Sequence, residues 1–392
     1  MEATTRHYLD YNATAPARPQ ARAAVAEALT LPGNPSSVHA EGRAARAIVE
    51  AARAEVAALV GAHPAQVTFT GSGSEANNLA LSGPRPARLV VSAIEHASVL
   101  RPAAERPGAF ALIPVTRDGI IDLAALEAIL AEPAPSGPTL VSVMLANNET
   151  GVVQPVAEVI ALARRAGALV HVDAVQALGR LPVAFNALGC DMMSLSAHKI
   201  GGPKGIGALV RRDGLSLAPL VAGGGQERSL RAGTENVPGI AGFGAAARAA
   251  GAELAEGREM ARLGRLRDRI EAAVRKAGQD AVIVGAGAPR LPNTTCIALP
   301  GLKAETQVMA FDLAGIAVSA GSACSSGKVE PSHVLAAMDL GPEVTAGAVR
   351  VSLGFGSTDA DADAFIEAWM ALRGRMLGTA DADASRRTAA ST

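Results

Sequence analysis

Short apolar runs alternate with amphipathic stretches between residues 43 and 212. The runs are too short for helices, and the stretches between them repeat their apolar positions every three to four residues. The sequence therefore predicts strands at QVTFT (66–70), RLVVS (88–92), FALIPV (110–115), TLVSVMLA (139–146), ALVHVDA (168–174) and MMSLSA (192–197). The predicted helices include residues 42–61, 96–106, 123–132 and 156–167. Near-continuous apolar strands separated by helices indicate a mostly parallel sheet covered on both faces.

The pattern changes after a glycine-rich stretch at residues 221–236. Two long charged helices are predicted at about 236–256 and 258–278, and short strands around a helix at 305–315 follow them. We predict an α/β protein with a large domain and a smaller α+β domain. The predicted boundaries are 15–255 for the large domain, 1–14 with 256–376 for the small domain, and 377–392 for a frayed polar tail.

Polar side chains follow the predicted strands where a parallel sheet binds its ligands, outside the carboxyl ends of the strands. The turn Gly71–Ser74 leads into a predicted helix that begins at Glu75, which is typical of a phosphate site and equally of a simple helix cap. The other strand ends are followed by Glu95–His96, Asn147–Glu149, Asp173 with Gln176, and His198–Lys199. Taken together they predict a pocket with a phosphate site, a carboxylate, amides, imidazoles and a lysine.

The lysines single out one candidate. The chain has five: Lys199, Lys204, Lys276, Lys303 and Lys328. We predict that four of them lie in loops or on solvated helices, whereas Lys199 stands at a strand end beside a histidine. A desolvated lysine there has the lowered pKa that Schiff-base formation requires. Pyridoxal phosphate needs such a lysine, an acidic partner for its ring nitrogen and a phosphate cradle, for which Asp173 and Gly71–Ser74 are candidates.

Composition narrows the class of protein. The 392 residues contain 36 Lys+Arg and 37 Asp+Glu, a formal net charge of −1, without a dense basic block. This balance argues against a nucleic-acid or membrane-surface binder. No apolar run approaches the roughly 18–20 residues of a membrane span, and the amino terminus lacks a signal-peptide pattern. Three cysteines without a CxxC pair fit a reducing compartment, so we predict a cytoplasmic enzyme.

Two further candidates carry open alternatives. Cys190 and Cys296 lie in or beside apolar strands and are predicted core thiols. Cys324 lies among Gly, Ser and Ala at residues 321–327, where it is either an accessible nucleophile or an incidental exposed cysteine. Arg350, in a predicted strand, is either a surface arginine or a clamp for a carboxylate.

The chain resembles the cysteine desulfurases of the NifS/IscS type, within the class-V, aspartate-aminotransferase-like pyridoxal-phosphate enzymes of fold type I. The resemblance covers nearly the whole chain. It rests on YLDYNATAP, GNPSSVH, FTGSGSEANNLAL, EHASVL, NNETGVVQP, HVDAVQALG, LSAHKIGGPKGIGAL, GGGQER, RAGTEN, SAGSACSSG and VRVSLG. HVDAxQ followed by SAHK is specific for the fold group, and SAGSACSSG with GGGQERxxRxGT narrows it to desulfurases with the longer catalytic loop.

The resemblance implies a cofactor site. Lys199 would hold pyridoxal 5'-phosphate covalently, Asp173 would keep its ring nitrogen protonated, and His96 would stack on the ring. The ring hydroxyl would be contacted by Asn148 and Gln176. The phosphate would be bound by Gly73, Ser74, Ser196 and His198, joined by Thr234 from the neighbouring subunit of a homodimer.

The resemblance also implies the reaction. Arg350 would bind the carboxylate of L-cysteine, with Asn148 nearby, and Lys199 would remove the Cα proton. Cys324 would accept the sulfur as a persulfide, leaving L-alanine. The sulfur would pass to an acceptor or iron–sulfur scaffold protein, with Cys324 as a candidate transient cluster ligand. The sequence leaves open whether the acceptor serves general iron–sulfur assembly, nitrogenase maturation or tRNA thiolation.

Two departures and three alternatives accompany the resemblance. Ser74 stands where many relatives have Thr, and Gln226 replaces a His of some members. The alternatives are a selenocysteine lyase, a small-amino-acid aminotransferase and a non-enzymatic persulfide carrier. An aminotransferase needs no cysteine, a selenocysteine lyase would tolerate loss of Cys324, and a carrier would not need Lys199.

Overall fold

The computed structural model describes residues 6–105, 109–278, 280–321 and 331–389, with side chains through residue 376. The strands are β1 (His7–Tyr8), β2 (Val67–Thr70), β3 (Arg88–Ser92), β4 (Ala109–Ile113), β5 (Thr139–Met144), β6 (Leu169–Asp173), β7 (Met192–Ser196), β8 (Gly207–Arg211), β9 (Val282–Ile283), β10 (Thr294–Ala298), β11 (Ile316–Ala317), β12 (Ser319–Ala320) and β13 (Ala348–Ser352). The helices are α1 (Pro19–Ala28), α2 (Ala40–Leu59), α3 (Gly73–Ser82), α4 (Ala97–Glu105), α5 (Leu123–Ala131), α6 (Val156–Arg165), α7 (Phe185–Leu188), α8 (Val237–Glu256), α9 (Arg258–Ala277), α10 (Ala304–Leu313), α11 (His333–Ala337), α12 (Pro342–Ala346) and α13 (Asp359–Ala389).

A seven-stranded sheet forms the large part of the molecule, in the order β2-β8-β7-β6-β5-β3-β4. Its strands are parallel except β8, which runs antiparallel to both β2 and β7. The residues of β2, β3, β5 and β7 are buried along their whole length, because helices cover both faces of the sheet. The prediction of an α/β fold with a mostly parallel sheet is confirmed.

The smaller part contains the antiparallel sheet β12-β13-β10-β9 and the parallel pair β1-β11. Its core includes Phe311, Phe365 and Trp369, each about 1% exposed. Since β1 pairs with β11, the amino-terminal residues join this part of the chain. The helix α8 packs against α1 and α2, whereas α9 packs against α13, so the chain passes from one part to the other at Gly257, whose φ of 69° is left-handed.

Local sequence explains where some of the elements begin and end. The strand predicted through residue 115 ends at Ile113, because Pro114 cannot donate to a ladder. The helix predicted from Glu75 begins at Gly73, with Ser72 as its cap: Ser72 Oγ accepts the Glu75 N–H at 3.1 Å. The last helix, α13, runs through to Ala389, where we predicted a frayed tail from residue 377. That segment is rich in alanine and lacks proline, so the helix continues through it despite Gly378.

Candidate active site

The carboxyl ends of the parallel strands open into a cavity of about 310 Å³. The residues that we predicted for the site and that line this cavity are Gly73, Ser74, His96, Asn148, Asp173, Gln176, Ser196, His198, Lys199 and Arg350. The fold therefore brings these residues together from widely separated parts of the sequence, at the edge of the sheet where we predicted the site. Thr234 does not line the cavity, and Cys324 lies outside the described residues.

The amino terminus of α3 forms one wall of the cavity. Its first turn contains Gly73 and Ser74, and a helix start supplies N–H groups and a positive dipole end that suit a phosphate. A Cβ at Gly73 would lie 3.1 Å from Ser196 Cβ and 3.2 Å from a methyl carbon of Val175. Glycine therefore favours this close approach between the helix and the strand β7, because a larger residue would crowd both neighbours.

Asp173 ends β6 and is 6% exposed. Its Oδ2 accepts a hydrogen bond from Asn77 Nδ2 at 2.8 Å, and its Oδ1 accepts one from the Val175 N–H at 2.9 Å. These two donors fix the carboxylate beside the cavity, where it can pair with a ring nitrogen that carries a proton.

Lys199 reaches the cavity from the turn that follows β7. Its ammonium donates to the carbonyl oxygens of Asn12 at 2.6 Å and Ala13 at 3.0 Å. The predictions that Lys276 and Lys303 are solvated are confirmed, because both are exposed, and Lys204 lies in a loop as predicted and is exposed as well. Lys199 is thus the lysine of the described residues that lines this cavity.

Two histidines at the site are held neutral. Burial, reinforced by the positive charges of Lys199, Lys204 and Arg180, lowers the pKa of His198 to about 4. Burial also lowers the pKa of His96, with Lys199 and His333 adding to the effect and Asp173 opposing it. Neutral imidazoles contact a bound group without adding charge to a site that already holds a lysine.

Arg350 lies in the middle of β13 and is 4% exposed, so the alternative of a surface arginine is wrong. Its Nη2 donates to Asp10 Oδ1 at 2.7 Å and its Nη1 donates to the Asn148 carbonyl at 3.0 Å. Ser319 Oγ donates to the other oxygen of Asp10 at 2.8 Å. The guanidinium is therefore held at the cavity wall, where it can bind a carboxylate.

Gln176 and Asn148 supply the amides. Gln176 Nε2 donates to the Asn12 carbonyl at 3.0 Å, and its Oε1 accepts from Arg180. Arg180 is buried, and burial together with the positive charge of Arg350 lowers its pKa to about 9. The Gln176 amide oxygen already accepts a hydrogen bond from the Arg180 guanidinium. The Gln176 NH₂ group is therefore the part of the amide that can donate to a hydroxyl or phenolate oxygen of a bound molecule.

These residues fit pyridoxal phosphate. A carboxylate with two donors, a helix start crowded against β7 and a lysine amine meet around one cavity of about 310 Å³. The carboxylate suits a protonated ring nitrogen, the helix start suits a phosphate, and the amine suits an aldehyde, which are the three groups of this cofactor. The arginine held by Asp10 adds a group that can bind a carboxylate at the same cavity.

Sequence reasoning missed four residues that shape the site. Asn12 and Asp10 come from the amino-terminal segment and contact Lys199, Gln176 or Arg350. Asn77 and Ser98 line the cavity and contact Asp173 and His96. All four lie within motifs that carry the resemblance, YLDYNATAP, FTGSGSEANNLAL and EHASVL, but those motifs do not reveal which residues they contact.

Thr234 lines a second cavity, of about 280 Å³, with Gly71, Arg231 and Glu235 among its walls. Arg231 Nε donates to Glu75 Oε1 at 3.0 Å, so this cavity lies behind the amino terminus of α3. The prediction that Thr234 completes the site of a neighbouring subunit stays a prediction.

Cys190 and Cys296 are the cysteines that the structure describes. The predicted core thiols Cys190 and Cys296 are confirmed, since they are 2% and 0% exposed and burial raises the pKa of each to about 12. Within the ranges that the structure describes, no three His, Cys, Asp or Glu side chains lie close enough to hold a metal ion together. Among the helices of those same ranges, none is long and apolar enough to cross a membrane.

A buried carboxyl group borders the site at Glu149. Its Oε2 accepts a hydrogen bond from Ser332 Oγ at 2.6 Å. Burial raises the pKa of Glu149 to about 7, although the Ser332 hydroxyl and the charge of Arg350 act in the opposite direction. The folded protein therefore holds a proton on Glu149 that an unfolded chain, with a pKa of about 4.5, gives up at lower pH.

We expect Glu149→Gln to remove this pH dependence. The raised pKa means that the contribution of Glu149 to stability is lost as the pH rises from about 4.5 through about 7. Let the stability difference be the free energy of unfolding of the variant minus that of wild type. Between about pH 5 and about pH 8 this difference should shift in favour of the variant by about 2 to 3 kcal/mol. Urea unfolding of both apoproteins at about pH 5 and about pH 8 measures this. Parallel pH dependence in the two proteins would contradict the expectation.

Comparisons with known proteins agree with this geometry. The family model for class-V aminotransferases matches residues 7–365. A cysteine desulfurase of Cereibacter sphaeroides is 44% identical over 373 residues, covering 92% of this chain and 94% of the relative. An IscS-like cysteine desulfurase of Mycobacterium tuberculosis is 40% identical over 395 residues, covering 97% and 100%.

A solved structure gives the same result for the fold. The X-ray structure of a NifS-like protein from Rickettsia africae superposes with a TM-score of 0.87 at 36% identity, covering 94% of this chain and 100% of that one. The match extends over both the large sheet and the smaller part of the molecule, and the fold type I prediction is confirmed. The chain belongs to the class-V aminotransferase family, and its cofactor is pyridoxal phosphate.

Proposed function

We propose that this protein is a cysteine desulfurase that converts L-cysteine to L-alanine and receives the sulfur as a persulfide on Cys324. The observation that carries the proposal is the meeting of Lys199, Asp173 and Arg350 in one cavity. A covalent lysine, a carboxylate for a ring nitrogen and a buried arginine for an α-carboxylate are what an amino-acid enzyme of this kind needs. The names of the relatives agree with cysteine as the amino acid.

The chain's own residues hold the cofactor in this proposal. Lys199 binds it covalently, and Asp173 pairs with its ring nitrogen. Gly73, Ser74, Ser196 and His198 bind the phosphate. Gln176 and Asn148 contact the ring hydroxyl, and His96 stacks on the ring. When bound, the cofactor supplies an electron sink for the electron pair released at the substrate Cα.

The substrate is oriented by its carboxylate. Arg350 binds this group from β13, and Asn148, whose backbone carbonyl accepts from Arg350, lines the same cavity. Lys199 Nζ, once released from its covalent bond by the incoming amine, takes the proton from Cα. The lysine thus serves first as the attachment point and then as the base.

Sulfur transfer requires the thiolate of Cys324. Its sulfur attacks the sulfur of the substrate, so that an S–S bond forms while the C–S bond breaks. The electron pair of the broken bond stays with the carbon skeleton, which is released as alanine after protonation. Because the thiolate is the nucleophile, the rate should fall on the acid side of the Cys324 pKa.

The proposal extends to partners and location. Thr234 lies away from the cavity of its own chain, which supports a homodimer in which it binds the phosphate of the partner's site. The persulfide passes to a sulfur-acceptor or iron–sulfur scaffold protein, and a transient cluster on Cys324 is part of the same proposal. The near-neutral charge and three cysteines support a cytoplasmic setting without nucleic-acid or membrane partners.

The test supplies L-cysteine to the protein loaded with pyridoxal phosphate. Equal amounts of alanine and of persulfide or sulfide are expected, with mass spectrometry placing one additional sulfur on the peptide that contains Cys324. Alanine without Cys324 persulfide would contradict the proposal. Turnover of selenocysteine alone, or transamination with a keto acid, would instead favour the lyase or the aminotransferase.

A further inference from the structure

We propose that Asn77 and Ser98 are positioning residues that fix the Asp173 carboxylate and the His96 imidazole relative to each other around bound pyridoxal phosphate. The inference rests on the proposed roles of Asp173 and His96 in the cofactor site. Asp173 ends β6, whereas His96 follows β3 by way of a turn, so neither residue is held by the other's strand.

Asn77 donates both hydrogens of its side-chain amide within this site. The side chain is 2% exposed, and its Nδ2 donates to Asp173 Oδ2 at 2.8 Å and to Ser98 Oγ at 2.9 Å. A carboxylate only accepts, so the nitrogen of the amide must face Asp173. Within the described part of the chain, Asn77 Oδ1 has no hydrogen-bond partner. A buried amide oxygen without a partner is unfavourable, so the two bonds that the nitrogen donates are what favour this orientation of the amide.

Ser98 continues the connection to His96. Because Ser98 Oγ accepts from Asn77, its own proton is available to His96 Nδ1, which lies at 2.8 Å. The Ser98 N–H also donates to Nδ1, at 3.1 Å. A ring nitrogen that accepts from two donors carries no proton, so the ring proton is on Nε2. The lowered pKa of His96 agrees with a neutral ring.

The two side chains have separable effects. Removing the Asn77 amide takes one of the two donors from Asp173 and frees the carboxylate to turn away from the ring nitrogen. Removing the Ser98 hydroxyl takes from His96 a donor that favours its neutral form, so the imidazole binds a proton more readily. A positive charge on the ring face then disfavours the protonated cofactor linkage at Lys199.

The chain offers matched controls for both. Asn78 follows Asn77 on α3 and donates from Nδ2 to the backbone carbonyls of Ser74 at 2.8 Å and Ser98 at 3.3 Å. Those bonds place it beside the same segments without a bond to Asp173 or His96. Ser98→Thr keeps the hydroxyl that Ser98→Ala removes.

The experiment measures two properties of the purified protein without substrate. The first is the dissociation constant of pyridoxal phosphate from each apoprotein by equilibrium dialysis, and the second is the pH midpoint of the cofactor absorbance band. Asn77→Ala should weaken cofactor binding about tenfold or more, as loss of a hydrogen bond to a charged group predicts. Asn78→Ala should bind within about twofold of wild type.

Ser98→Ala should lower the pH midpoint of the band, whereas Ser98→Thr should leave it at the wild-type value. Among the described residues, the charged and titratable groups that act on His96 include Asp173, Lys199 and His333, and all three are kept in both variants. The serine pair also tests the inference if Asn77→Ala fails to fold, which the melting temperature of the apoprotein reveals.

Two results would overturn the inference. One is equal cofactor affinity in folded Asn77→Ala and Asn78→Ala, and the other is an equal midpoint in Ser98→Ala and Ser98→Thr. Both readouts are taken without cysteine, so a failed desulfuration leaves them unaffected. Failure of the cofactor site itself would instead appear as loss of the band in the wild-type protein.

Discussion

Lys199→Ala is expected to abolish turnover of L-cysteine, with a loss of about 10³-fold or more. In the proposed function this side chain provides both the covalent attachment of the cofactor and the amine that takes the Cα proton. Its ammonium already lies on the cavity wall, 2.6 Å from the Asn12 carbonyl. No other described lysine lines that cavity, so no neighbour can take over either task.

Lys204→Ala is the matched control. Lys204 is five residues further along the chain, is exposed and does not line the cavity. Borohydride should fix the cofactor to wild-type protein and to Lys204→Ala, and peptide mapping should place the label on Lys199 in both. A label on a different lysine, or full alanine production by Lys199→Ala, would contradict the assignment of the active-site lysine.

The large sheet could be predicted from the sequence because its strands are buried on both faces. Burial on both faces produces apolar runs such as TLVSVM, which β5 reproduces, and the Ala-rich periodicity between the runs gives the helices. The order of the strands in the sheet could not be predicted from these apolar runs. The antiparallel direction of β8 depends on its pairing with β2 and β7, and nothing in its own five residues records that pairing.

The candidate site was predicted for the same reason that the sheet was. Residues that follow parallel strands meet at one edge, so His96, Asp173 and Lys199 were found from their positions alone. Asp10 could not be found in this way, because its contact with Arg350 joins residues 340 positions apart. Long-range pairing of this kind leaves no periodic signal in either segment.

Buried polar contacts were also beyond sequence reasoning. The hydrogen bonds of Asn77 to Asp173 and Ser98 depend on how α3 is rotated against the sheet. Until that rotation is known, an asparagine on a helix is as consistent with a solvent-exposed position as with a buried one. The ionisation of Glu149 similarly depends on burial that its surrounding sequence, NNETG, does not express.

Cys324→Ser is expected to abolish the persulfide and to reduce alanine formation from L-cysteine by about 10³-fold or more, because a hydroxyl replaces the thiolate nucleophile. Cofactor binding should remain, since the cavity residues around Lys199 and Asp173 are unchanged. The measurement is alanine release together with persulfide labelling, over a pH series in which the wild-type rate falls toward acid.

Cys190→Ala is the control that separates a reactive thiol from a structural one. Cys190 is 2% exposed, and burial raises its pKa to about 12, so it is not a thiolate near neutral pH. This variant should keep the persulfide at Cys324, whatever small loss of stability the missing sulfur causes. Turnover of selenocysteine by Cys324→Ser distinguishes a desulfurase from a selenocysteine lyase. A lyase needs no attacking thiolate to break the weaker carbon–selenium bond, so it would remain active on selenocysteine. If Cys324→Ser turned over L-cysteine at the wild-type rate, sulfur would have to leave the substrate without this nucleophile, and desulfuration through Cys324 would be wrong.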